Sequence, residues 1–253
     1  MKPDSQVVLL RGSSQGSLVV RQIHVPHELQ GICGEGTASD GGGAPFQIIP
    51  DAIQRTLATV VMEAPPGGDK AFALGPIHPR SPRPITQVCE VPAGKTRIRL
   101  DPGRMAGFPS AITFADGKTI TAFTWNDRLY RPNTGGFLLR NDRNATLQLL
   151  CDGPVCTVYR VRASYCAEDG QHAPGNANAV YDWYFFKHQP LAFVAAVVRQ
   201  PAPEVWTELH FLEWNFSGSD FTHYAGGDPI TEGTLEGGRQ SHIFSNWAGL
   251  VGG

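Results

Sequence analysis

Apolar and β-branched residues alternate with polar ones over short stretches along most of the chain, and no stretch sustains the 3.6-residue period of an amphipathic helix. The pattern predicts strands over Gln6–Leu10 and Ser17–Val25, joined as a hairpin through Gly12 and Gly16. From His27 to Pro50 neither period is present and the glycines are dense, so a long loop is expected. Those glycines are not followed by Lys-Ser/Thr and do not lie between a strand and a helix, which argues against a phosphate-binding loop. Ile53–Met62 reads as a strand, and the prolines at 76, 79, 82 and 84 imply an extended, solvent-facing segment. Thr86–Val91 and Lys95–Leu100 flank the Pro92-Ala93-Gly94 turn.

After the Asp101-Pro102-Gly103 turn the strands become more regular: Ala111–Phe114, Ile120–Trp125, Gly136–Arg140, Ala145–Leu150, Val155–Tyr165, Val180–His188, Leu191–Gln200 and Val205–Phe216. Asp-Gly, Asn-Asp, Gly-Pro and Gln-Pro pairs separate them. Tyr181–His188 turning through Gln189-Pro190 into Leu191–Val198 is the clearest hairpin, and its nearly continuous apolar run implies strands covered on both faces. The expected class is all-β: a small N-terminal β-barrel or sandwich domain over residues 1–102, then a large antiparallel β-sandwich over residues 103–253. The Ser241–Gly253 segment reads as a strand entering a sheet with no polar tail after it, as expected of a piece of a longer protein.

Composition fits this picture. Glycine (29) and proline (20) supply turns, and 17% charged residues is a low share. Lys plus Arg (21) nearly balances Asp plus Glu (23), which leaves no field to attract nucleic acid or an anionic membrane. No apolar run reaches membrane-spanning length, and no secretory signal is read at the start, so the compartment stays open between cytoplasmic and exported after processing. Asn144 and Asn215 head glycosylation sequons, which matter only on a eukaryotic secretory route. The five cysteines form no CxxC pair and read as buried small apolar residues; export would open a Cys151–Cys156 or Cys156–Cys166 bridge.

Candidate chemistry concentrates between Glu204 and Gly227. Strand alternation from Val205 to Phe216 places Trp206, Glu208, His210, Leu212, Trp214 and Phe216 on one face, and sends Glu213 to the other. Glu208 and His210 are then adjacent and suited to acid–base work, against a plain ion pair on a solvated face. His223 and Tyr224, in an expected loop, join them only if that loop folds back. Trp206 and Trp214 offer apolar platforms for sugar C–H faces, against a core role. Arg160 and Arg162 share a strand face and suit a carboxylate clamp, against ordinary surface arginines. A paired-carboxylate glycosidase site from Glu208 and Glu213 fails by parity, and a metal set from His210, His223 and Asp228 has no specific spacing, so no metal and no cofactor is expected.

The order of signals resembles a known family. Asp116-Gly117, Gly135-Gly136-Phe137, Cys151-Asp152-Gly153-Pro154-Val155, the Tyr181–Phe193 hairpin and Asn246-Trp247-Ala248 look like the large β-sandwich of the galactose mutarotase-like superfamily. The first half is similar to the small β domain preceding such sandwiches in exo-rhamnogalacturonan lyase-like proteins. The resemblance implies a sheet face that holds a polysaccharide or oligosaccharide, in a lyase, a glycoside hydrolase or a non-catalytic carbohydrate-binding or structural module. It carries over no catalytic residue, so Glu208, His210, His223 and Tyr224 stand on the residue-level reading alone.

Overall fold

The computed structural model describes residues 7–10, 17–38, 43–64, 66, 70–216, 221–235 and 248–251. The chain is all-β, built from antiparallel sheets, and its helical turns are short 3-10 segments. In chain order the first strands are β1 (Val7–Leu10), β2 (Ser17–His24), β3 (Cys33–Thr37), β4 (Pro45–Pro50), β5 (Leu57–Ala64), β6 (Lys70–Ala73), β7 (His78–Arg80) and β8 (Arg83–Pro84). The expected hairpin between the first two does not form: β1 pairs with β6 and β2 pairs with β5. A five-stranded first sheet results, ordered β2-β5-β4-β3-β7.

Two of its strands, β3 and β4, lie where a long loop is expected. The glycines that suppress a periodic signal there permit close packing instead. A Cβ at Gly34 would stand 2.5 Å from Ile77 Cγ2, and one at Gly36 would stand 2.5 Å from the Pro76 carbonyl oxygen. The proline cluster is extended and exposed as expected, and β7 and β8 each sit at a sheet edge, where a missing N–H costs least.

The chain continues with β9 (Cys89–Ala93), β10 (Thr96–Leu100), β11 (Pro109–Thr113) and β12 (Thr119–Ile120), which form a four-stranded sheet. Arg97 pairs with Thr113 and Leu100 with Pro109, so strand pairing crosses the turn at residues 101–103 where a domain boundary is expected. Next come β13 (Phe123–Trp125), β14 (Arg128–Arg131), β15 (Gly135–Leu138), β16 (Thr146–Asp152), β17 (Cys156–Ser164), β18 (Asn178–Phe186) and β19 (Ala192–Arg199). The last four of these with β8 make the central sheet, β19-β18-β17-β16-β8.

The central sheet is buried on both faces. Toward the first sheet it presents Cys156, Val158, Tyr184 and Phe186, which pack with Cys33, Ile49 and Val61. The opposite face presents Tyr159, Val161, Tyr181, Trp183 and Phe185 to residues of the four-stranded sheet and of β13 to β15. Every residue of β18 from Ala179 to Phe186 is buried, and burying each large side chain contributes about 1.5–3 kcal/mol. Its hairpin partner β19 departs from the expectation of double coverage: it is an edge strand with partly exposed side chains.

The remaining strands are β20 (Glu208–His210), β21 (Trp214–Phe216), β22 (His223–Gly226), β23 (Thr231–Thr234) and β24 (Ala248–Val251). The single strand expected over Val205–Phe216 is broken. Its first piece joins β14 and β15, and its second pairs with β13. The expected terminal strand appears as β24, paired with β22, while residues 236–247 lie outside the described residues, Asn246-Trp247 among them.

Candidate functional site

The break between β20 and β21 builds the site. Leu212 adopts φ +54, the left-handed region that L-residues rarely enter, and the turn it makes resets the alternation of side chains. Glu213, which strict alternation sends to the opposite face, therefore meets His210. His210 Nδ1 is hydrogen-bonded to Glu213 Oε2, and its Nε2 lies 3.1 Å from Glu208 Oε2. The parity argument that set Glu213 aside is overturned, because it holds only for uninterrupted extended backbone.

Pairing across β14 completes the cluster. Arg128 is the cross-strand partner of His210, and its Nη2 lies 2.9 Å from Glu208 Oε2 and 3.2 Å from His210 Nε2. The imidazole thus has a partner in either protonation state. Neutral, with its proton on Nδ1 toward Glu213, it accepts from Arg128; charged, it donates to both carboxylates. All four side chains reach solvent: the exposed fractions are 34% for Arg128, 43% for Glu208, 33% for His210 and 29% for Glu213. Burial pushes the Glu213 carboxyl up, but hydrogen bonds from Asn126, His210 and Asn215 outweigh it and hold the group below the ordinary carboxylate range.

Beneath the cluster lies Asp127, buried to 2% exposure. Its Oδ1 accepts the Glu213 backbone N–H at 2.9 Å, and its Oδ2 accepts the Tyr181 hydroxyl. Burial holds the Asp127 carboxyl above its ordinary value despite these donors. Tyr181, expected in the core, is there, and burial beside Asp127 pushes its phenol well above the usual range. Sequence reasoning missed Asp127 and Arg128 because Asn126-Asp127 reads as a turn; a carboxylate among aromatic runs was their only signal.

The other expected site residues are distributed elsewhere. His223 and Tyr224 do not sit in a loop: both belong to β22, where they pair with Thr234 and Gly233. The His223 ring is hydrogen-bonded to the Thr222 hydroxyl at 2.8 Å, and the Tyr224 ring lies over Gly233, where a Cβ would come within 2.6 Å of its hydroxyl. Trp214 packs into the main core, stacked on Phe123 at 5.3 Å and edge-on to Trp125 at 4.4 Å. Trp206 donates its indole N–H to Gln200 at 2.6 Å, sits edge-on to Phe137 and is covered by the Arg131 guanidinium at 5.4 Å. Neither tryptophan is a free platform. Phe211, next to His210 in sequence and 43% exposed, packs its ring against Tyr181 at 5.9 Å.

Arg160 and Arg162 do share a face, as expected, but they do not form a clamp. Arg160 is buried, makes a two-point contact with Asp182 at 2.7 Å through each nitrogen, and donates to the Pro50 carbonyl at 2.7 Å. Burial alone lowers its pKa, and the Asp182 carboxylate more than restores it, which keeps the guanidinium charged. Arg162 is exposed farther along β17. Among the described residues no group of three or more His, Cys, Asp or Glu side chains is arranged to hold a metal ion, and in the His210 cluster the two carboxylates lie at opposite ring nitrogens.

A separate open cleft of about 470 Å3 lies between Glu35, Thr37 and His78 on one side and Asp152, Pro154 and Lys187 on the other. It shares no lining residue with the His210 cluster. Its charges are matched, Lys187 with Asp152 at 2.7 Å and Arg80 with Glu35. No protein-family model matches the chain, and comparison with curated proteins and with solved structures returns no match.

Proposed function

We propose that the protein is carbohydrate-active and that the surface around His210 is one wall of a saccharide site. The observation that supports this best is a solvent-reaching imidazole with a carboxylate at each ring nitrogen and a cation beside it. His210 has the partners to accept or deliver a proton at Nε2, with Glu213 orienting the ring from Nδ1. Arg128 is the cation best placed for a sugar carboxylate, the role that Arg160 and Arg162 do not fill. Exposed Leu209 and Phe211, the sequence neighbours of His210, supply the apolar contact in place of Trp206 and Trp214. Elimination from a uronic-acid polysaccharide fits this set, since it needs a base for the proton α to the carboxylate and a cation to hold that carboxylate. Membership of the galactose mutarotase-like superfamily rests on the motif resemblance and belongs to the same proposal.

The test is a panel of uronic-acid and neutral polysaccharides, followed by ultraviolet absorbance of unsaturated ends and by reducing-end release. Unsaturated product that is lost in His210→Ala and retained in Arg162→Ala is the expected result. Reducing ends without unsaturation favour hydrolysis, and no turnover of any polysaccharide removes the catalytic reading. A second reading, a non-catalytic carbohydrate-binding or structural module, is favoured by the run of exposed apolar residues Val205, Leu209, Phe211 and Leu212. It predicts sugar binding that persists in Glu208→Gln and His210→Ala and falls in Phe211→Ala.

A further inference from the structure

The open cleft beside the turn between β16 and β17 lies away from the His210 cluster, and strand register builds one of its walls. His78 of β7, Glu35 of β3 and Gln47 of β4 stand in one row across the first sheet, and Thr37 and Pro45 pair in the next. All five share the face that carries Cys33, Ile49 and Val61 into the packing with the central sheet. Where that packing ends, Glu35, Thr37, Pro45 and His78 line the cleft. The facing wall is the turn at Asp152, Gly153 and Pro154, together with Lys187 just beyond β18. Gln47, buried, crosses from the first sheet to that turn and is hydrogen-bonded to the Val155 and Cys156 backbone, so the two walls are fastened to each other. A cleft of about 470 Å3 held in this way has the size of a small-ligand site and is already formed.

The matched charges of the cleft select the ligand. Asp152 Oδ1 accepts from Lys187 Nζ at 2.7 Å and from the Thr157 hydroxyl at 2.9 Å, and Glu35 Oε1 accepts from Arg80. An ion of either sign therefore finds each opposite charge already neutralised, and no net field draws it in. Hydrogen-bonding capacity is what remains. Asp152 Oδ2, Glu35 Oε2 and the His78 ring have no hydrogen-bond partner among the described residues, and Lys187 uses one of its three ammonium donors on Asp152. A hydroxyl group suits this set, because it can donate to a carboxylate oxygen and accept from an ammonium at once. Pro45 and Pro154, one on each wall, add apolar surface for C–H faces.

We propose that this cleft is a second ligand site, for a neutral, hydroxyl-rich molecule: the sugar units of an uncharged oligosaccharide. Naming that molecule a saccharide rests on the carbohydrate reading above, whereas the preference for uncharged hydroxyls rests on the cleft alone. The two sites then differ in class. The His210 surface offers the Arg128 cation to an acidic sugar, and the cleft offers paired charges to a neutral one.

The experiment titrates the isotopically labelled intact chain with cellotriose, maltotriose, xylotriose and trigalacturonate, and follows assigned backbone amides by NMR. Expected are saturable shifts at Thr37, Gly153 and Lys187 with at least one neutral trisaccharide, and binding weakened about tenfold or more in Asp152→Ala and in Lys187→Met. Both variants should unfold near the temperature of the parent, since a pair this exposed adds little stability. No shift at these amides with any neutral trisaccharide overturns the proposal, and so does a cleft that responds to trigalacturonate alone. Shifts confined to Leu209–Glu213 also overturn it while leaving the His210 reading in place. Cleft shifts without turnover of any polysaccharide support the cleft and remove the catalytic reading instead. The titration of the unaltered chain decides the matter even if a variant fails to fold.

Discussion

Asp127 holds Glu213 by the backbone: its Oδ1 accepts the Glu213 amide at 2.9 Å across 86 positions of chain. The same carboxylate accepts a hydrogen bond from the Leu212 amide, and the Asn126 amide donates to the Glu213 carbonyl at 2.9 Å. The left-handed turn at Leu212 is therefore clamped from the link between β13 and β14, and the clamp brings Glu213 to His210. Leu212→Gly should raise stability by about 0.5–1 kcal/mol, because an L-residue in this region costs about 1–2 kcal/mol and glycine returns part of the gain as backbone freedom. Urea denaturation measures it, and a loss of stability would mean that the Leu212 side chain contributes more than its backbone costs.

The two carboxylates of this clamp respond to pH in opposite directions. Asp127 is raised above 3.8, so charging it costs more in the folded chain than in the unfolded one, and stability falls as pH rises from 3.8 through its folded value. The deficit of Asp127→Asn relative to the parent should therefore shrink as pH rises through that window. Glu213 is lowered below 4.5, so its contribution is present above 4.5 and is lost as pH falls through its folded value. Glu213→Gln should flatten that acid limb. Denaturant midpoints across the acid range test both, and parallel profiles for parent and variants would refute the assignment.

Arg160 and Asp182 should behave as a buried ion pair and not as a ligand clamp. Arg160→Ala or Asp182→Ala leaves one charge unpaired between the sheets and should cost about 3–5 kcal/mol, whereas Arg160→Met with Asp182→Leu recovers most of the loss. Arg162→Ala, at an exposed position, should change stability by less than about 0.5 kcal/mol. Equilibrium unfolding of the four proteins decides between the two roles.

Gln47 fastens the turn between β16 and β17. Its Oε1 accepts the Val155 and Cys156 amides at 2.9 and 2.7 Å, and its Nε2 donates to the Cys156 carbonyl at 2.9 Å. Gln47→Ala leaves the Val155 and Cys156 amides buried without Gln47 Oε1, while the Cys156 carbonyl keeps the Gly153 amide, a loss of about 2–5 kcal/mol. Gly153 leaves room for that side chain, since a Cβ there would stand 2.4 Å from Gln47 Cδ. Gly153→Ala should be similarly damaging, and the double substitution less than additive in thermal unfolding, because one interaction is broken twice.

Much of this organisation was legible in the residues. The apolar run from Val180 to Phe186 reads as a doubly covered strand, and β18 is one, because burial on both faces leaves no polar side to write into the pattern. The all-β class follows from short strands punctuated by glycine and proline. Glu208 and His210 were found together because two residues on one strand share a face at any register. The sequence could not reveal β3 and β4, since Gly34 and Gly36 are chosen for close approach and leave no periodic mark.

The site itself divides in the same way. Local alternation determined that Glu208 and His210 are neighbours, that Arg160 and Arg162 share a face, and that Tyr181 and Trp183 belong to the core. Tertiary structure decided the rest: which arginine is spent on Asp182, which tryptophans are taken up by Phe123, Trp125, Phe137 and Gln200, and that Glu213 meets His210. The physical reason is the backbone at Leu212. A left-handed residue at this point turns Glu213 back toward His210, and hydrogen bonds from the link between β13 and β14, at Asn126 and Asp127, hold that conformation.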